Sequence, residues 1–70
     1  MSPKKTMTLN LTEAEMEALE VMCVEKDMSK TALMRQALRL YQLVNARLKA
    51  GEKLFLENEK EKEKKELVVL

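Results

Sequence analysis

KKTMTLNLTEAE, residues 4–15, passes within a dozen residues from a period of two to a helix-start signal. Met7, Leu9 and Leu11 alternate with Thr6, Thr8 and Asn10, so an extended backbone would place the apolar set on one face and the polar set on the other. The spacing predicts a short strand over this stretch. Thr12 then opens TEAE, in which the Thr12 hydroxyl can accept from the Glu15 N–H while the Glu15 carboxylate reaches back to the Thr12 N–H, a capping box. A first helix is expected from about Glu13.

Downstream, Met16, Leu19, Met22 and Cys23 fall at spacings of three and four, with Glu13, Glu17 and Glu20 mostly off that stripe. The helix should stop near Lys26 or Asp27, because Asp27 tolerates turn geometry and Ser29 can cap the next helix. In KTALMRQALRLYQLVNARLKA, Leu33, Ala37, Leu40, Val44 and Leu48 form one apolar ridge, and Met34, Leu38 and Tyr41 a second beside it. That buried arc is wider than a single partner helix requires, so the second helix should pack on the first and on another subunit. Gly51, the only glycine, stands where a residue of positive φ would end it.

Seventy residues allow one domain at most, and a chain of this size buries too little of its unfolded surface to be comfortably stable alone. Cys23 is the only cysteine and there is no histidine, so an intrachain disulfide, a zinc site and a histidine-based catalytic pair are all excluded. No cofactor and no metal are expected, and neither a glycine-rich phosphate loop nor an activated nucleophile points to an enzyme. Self-association is left as the stabiliser. The longest apolar run is four residues, far short of the roughly 20 that span a bilayer, so no membrane role is expected and the location read from the sequence is cytoplasmic, at the nucleoid.

Net charge is only +1, but its distribution is uneven. Lys4 and Lys5 precede the alternating stretch. Residues 13–27 hold six acids against Lys26, and residues 28–50 hold five basic residues and no acid. Such blocks can present one positive face to a polyanion. After Gly51, EKLFLENEKEKEKKELVVL carries apolar patches at Leu54–Leu56 and Leu67–Leu70 around a charged run. Period-two alternation in EKEKEK sets like charges four apart on a helix, so a loose β-hairpin turning near Lys60, with Glu and Lys sorted to opposite faces, is expected there rather than a helix.

A lone strand leaves both of its edges unpaired. The simplest partner is the same strand of a second copy, antiparallel about a two-fold axis. The expected fold is therefore mainly α with one N-terminal strand: an intertwined homodimer, with a two-stranded antiparallel intermolecular β-ribbon over four helices. Met7, Leu9, Leu11, Leu33, Ala37, Leu40, Tyr41 and Val44 would form its core. A ribbon of that width suits the major groove of double-stranded DNA, so Thr6, Thr8 and Asn10 would contact base edges. Lys4 and Lys5, together with Ser29, Lys30 and Thr31 at the start of the second helix, would contact phosphates.

The pattern TMTLNLTEAEMEALEVMCVEKDMSKTALMRQALRLY resembles the ribbon-helix-helix superfamily of Arc/MetJ-type DNA-binding repressors and antitoxins. The resemblance covers about residues 4–48. It implies a sequence-specific transcriptional regulator in which Thr6, Thr8 and Asn10 touch bases and Ser29, Lys30 and Thr31 hold a phosphate. Residues 1–50 would form the DNA-binding and dimerisation domain and residues 51–70 a charged tail, open to a protein partner. Whether dimers pair into tetramers on DNA stays open. Two alternatives stand beside the regulator: a helical oligomerisation or adaptor module, and a low-specificity nucleoid-associated protein.

Overall fold

The computed structural model describes residues 3–69. Its elements run α1 (Glu13–Lys26), α2 (Lys30–Lys49), β1 (Leu54–Asn58) and β2 (Glu63–Leu67). The chain divides between Leu33 and Met34 into two compact units.

This order corrects the expected fold. Residues 6–11 form no strand, and the sheet of the described residues is a two-stranded C-terminal hairpin, so strands follow the helices instead of preceding them. The arrangement is not that of a ribbon-helix-helix homodimer. The reason is physical: strand hydrogen bonds need a second strand, and among the described residues no backbone hydrogen bond within the chain reaches residues 3–11. The alternating apolar face also finds little to lie on. Met7 and Leu9 are 79% and 52% exposed, and only Leu11 of that set is half-buried.

Both helices start where their side-chain caps allow. The Glu15 N–H donates to Thr12 Oγ1 at 3.1 Å and the Thr12 N–H donates to Glu15 Oε1 at 2.9 Å, so two otherwise orphaned donors of α1 are satisfied reciprocally. In α2 the Ala32 N–H donates to Ser29 Oγ at 3.1 Å, which makes Ser29 its N-cap.

The helices also end alike. In α1 the Asp27 N–H reaches the Val24 carbonyl at 3.3 Å and the Met28 N–H the Cys23 carbonyl at 3.0 Å. In α2 the Gly51 N–H reaches Leu48 at 3.0 Å and the Glu52 N–H reaches Arg47 at 3.1 Å. Each pair is a Schellman motif closed by a left-handed residue, Asp27 at φ 51° and Gly51 at φ 90°. The two positions predict opposite responses to substitution. Asp27→Gly should raise stability by about 0.5–1 kcal/mol, because it relieves left-handed strain and removes an acid from the negative end of the helix dipole. Gly51→Ala should cost about 1–2 kcal/mol from backbone strain alone, since an added Cβ there meets nothing within 4 Å. Urea midpoints of the two variants, measured against the parent, check both signs.

The first unit holds the two buried side chains among the described residues, Leu19 of α1 and Leu33 of α2, with Leu11, Met16, Cys23 and Met28 half-buried. Of the stripe that the spacing predicts for α1, Met16, Leu19 and Cys23 are at least half-buried, whereas Met22 is exposed. In the second unit, Val44, Leu48, Leu54 and Val69 reach only partial burial. Most of the double ridge on α2 is uncovered: Leu38 and Leu40 are each 62% exposed and Tyr41 52%.

In the hairpin, β1 and β2 run antiparallel with Leu54 opposite Leu67, Phe55 opposite Glu66, Leu56 opposite Lys65, Glu57 opposite Lys64 and Asn58 opposite Glu63. Residues 59–62 form the turn. Asn58 Oδ1 accepts from the Lys60 N–H at 3.0 Å and the Glu61 N–H at 3.3 Å, and Lys62 takes φ 54° to re-enter the sheet. The expected sorting of Glu and Lys to opposite faces does not occur. The strictly alternating residues lie in the turn, and the Lys64–Lys65 doublet shifts the alternation within β2. Each face of β2 therefore mixes signs. Lys65 Nζ lies 3.9 Å from Glu63 on one face, and Lys64 Nζ stands 4.9 Å from the Phe55 ring centroid.

Candidate functional site

The residues expected to meet DNA all fall in the first unit. Lys4, Lys5, Thr6, Thr8 and Asn10 lie in irregular backbone ahead of the Thr12 cap, and each is exposed. Burial does not separate Thr6, Thr8 and Asn10 from the apolar set, since Met7 and Leu9 are exposed beside them. Only Leu11 anchors this segment, at its junction with α1.

The capping box fixes where the segment ends. Hydrogen bonds from the Thr12 backbone and side chain hold the Glu15 carboxyl below its usual pKa. A depressed carboxylate contributes stability that is complete above its unfolded-state pKa and lost as pH falls through the folded one. Helicity of α1 should therefore decline below the ordinary carboxylate range, and Glu15→Gln should flatten that limb of a circular-dichroism pH titration.

At the start of α2 the Ser29 hydroxyl is engaged as a cap, so its oxygen is not idle. Among the described residues the backbone N–H groups of Lys30 and Thr31 have no acceptor, and the first turn of α2 contains no acid. A helix N-terminus with free N–H groups and a lysine favours an anion. Glu20 competes for that lysine: Lys30 Nζ lies 3.9 Å from Glu20 Oε1, with both side chains more than half exposed. Sequence spacing alone did not reveal Glu20 as a neighbour of Lys30, because the two meet across the helix turn. An exposed pair at that distance is weak.

Of the residues expected in a dimer core, Leu33 is buried. Val44 and Leu11 are half-buried, and Met7, Leu9, Ala37, Leu40 and Tyr41 are exposed. Arg35 and Arg39 lie exposed along α2.

The second unit contains a groove of about 410 Å³, floored by Leu40, Leu43, Val44, Leu48 and Leu54. At its rim Arg47 Nη2 donates to Glu52 Oε1 at 2.9 Å and Arg47 Nε pairs with Glu52 Oε2, an ion pair that spans the α2 cap. Glu52 raises the Arg47 pKa above its already high ordinary value, so the guanidinium stays charged at any accessible pH. The two charges satisfy each other, which leaves the groove apolar in character. Among the described residues no three His, Cys, Asp or Glu side chains come together as a metal site, and no helix is long and apolar enough to cross a membrane. No family model, curated protein or solved structure matches the chain.

Proposed function

We propose that this chain is a homodimeric, sequence-specific DNA-binding regulator of transcription, acting as a repressor or an antitoxin-type autoregulator. The observation that carries the reading is the gathering, within one unit, of an exposed segment bearing Lys4, Lys5, Thr6, Thr8 and Asn10 and an acid-free α2 N-terminus bearing Ser29, Lys30 and Thr31. In this reading the α2 N-terminus and Lys4 and Lys5 take phosphates and set position. The Asn10 amide can pair with adenine N6 and N7, and the threonines offer hydroxyls to base edges or methyls to thymine.

The homodimer follows from packing. The two side chains buried among the described residues make a small core for a chain of this size, and the uncovered ridges of α2 supply the apolar area that a second copy needs. Those same ridges favour the second reading, an oligomerisation or adaptor module that captures a partner helix and leaves DNA alone.

Selection of bound sequences from random DNA, run at two salt concentrations, separates the readings. A regulator returns a narrow motif whose affinity falls with salt, a nucleoid component returns a featureless salt-sensitive pool, and an adaptor returns nothing.

A further inference from the structure

We propose that the open edge of β1 pairs with β1 of a second copy, so that two hairpins join into a four-stranded antiparallel sheet in the order β2–β1–β1–β2. This adds a specific contact to the homodimer reading above and does not depend on DNA binding.

Within the described residues β1 is hydrogen-bonded to β2 alone, so its other edge presents unpaired backbone groups. The stretch along that edge reads Lys53-Leu54-Phe55-Leu56-Glu57. Its order is self-complementary under reversal. A two-fold axis at Phe55 sets Phe55 opposite its own copy, Leu54 opposite Leu56 on both sides, and Lys53 opposite Glu57 at both ends. Apolar residues thus meet apolar residues, and each terminal pair joins opposite charges, the pairing that stabilises neighbouring strands.

The side-chain alternation agrees. Lys53, Phe55 and Glu57 share one face of the sheet, where Lys64 already stands over Phe55, and Leu54 and Leu56 share the other with Leu67. Joining two hairpins would merge two small apolar strips, each too small to be stable alone, into a single layer. Phe55, Leu56 and Leu67 are 44%, 61% and 42% exposed, so that surface has not been used within the chain.

The opposite edge does not offer the same match. The reversal centred on Glu63-Lys64-Lys65-Glu66 of β2 sets Glu against Glu and Lys against Lys. Charge therefore selects β1 as the pairing edge and leaves β2 outermost.

Sedimentation equilibrium of the full chain tests the contact with three variants. Lys53→Glu and Glu57→Lys should each weaken association about tenfold, because each sets like charges opposite one another at both ends of the sheet. The double variant should restore it. That rescue has no intrachain explanation: Lys53 lies 3.8 Å from Glu66, and Glu57 lies opposite Lys64, so both local contacts become repulsive in the double variant. A Phe55→Cys change in a Cys23→Ser background should give a disulfide-linked dimer on mild oxidation, since directly opposed antiparallel residues lie within disulfide reach. Association unchanged in both single variants, or a double variant weaker than either, would overturn the β1 contact while leaving a homodimer. A wild-type chain that is monomeric at every concentration would overturn the homodimer and this contact together.

Discussion

Leu19→Ala should destabilise the protein by about 2–4 kcal/mol in urea denaturation, an effect shared among apolar truncations only with Leu33→Ala. Leu19 is 8% exposed and Leu33 is 7% exposed, and they are the only buried apolar side chains among the described residues. A chain of this size has a total stability of roughly 4–10 kcal/mol, so losing one of two anchors removes a large part of it. Removing three carbons from a site flanked by half-buried Met16 and Cys23 leaves a space that the helix backbone is too stiff to close. Val24→Ala is the matching control. Val24 lies on the same helix but is 83% exposed, so truncation there should change stability by less than about 0.5 kcal/mol. A large, concentration-dependent loss at Val24 would instead place that face in an interface between copies.

Asn10→Ala should weaken binding to a selected DNA site by about 1–3 kcal/mol, up to roughly a hundredfold, while non-specific affinity and dimerisation stay the same. Asn10 is exposed and, among the described residues, makes no side-chain hydrogen bond, so its amide is available to a base and its loss has no structural cost within the chain. Thr8→Ala should act in the same direction. Lys4→Ala should behave differently, weakening all sequences alike and reducing the slope of log affinity against log salt by about one. Fluorescence anisotropy with a selected and a scrambled duplex over a salt series distinguishes the two patterns. Equal losses on both duplexes for Asn10→Ala would remove it from base recognition.

Much of the local structure was legible in the residues. Thr12 and Glu15 announced the start of α1, Ser29 the start of α2 and Gly51 its end, because each of these features is settled by groups within five positions in the chain. Asp27 was readable only as a turn residue. That it closes a full Schellman motif in place of glycine needed its backbone angles. In the tail, charge alternation argued for a hairpin over a helix, but the pairing of Glu57 with Lys64 depends on a register that the turn at residues 59–62 sets.

The candidate site was legible in part. Exposure of Lys4, Lys5, Thr6, Thr8 and Asn10 agrees with their polarity, whereas exposure of Met7 and Leu9 contradicts the buried face that alternation implied. Glu20 beside Lys30 was invisible in the sequence, because ten residues and a helix turn separate them.

The boundary between the two kinds of knowledge follows the reach of the hydrogen bonds. A helix satisfies its backbone four residues away, and its caps lie one step beyond, so the sequence by itself determined where α1 and α2 begin and end. A strand is completed only by another strand. Residues 6–11 have the alternation without a partner in the chain and stay irregular. Residues 54–58 have Glu63–Leu67 within reach of a short turn, so the hairpin turning near Lys60 that the charge alternation predicts does form, and only the tertiary structure could decide its register and leave residues 6–11 without a strand.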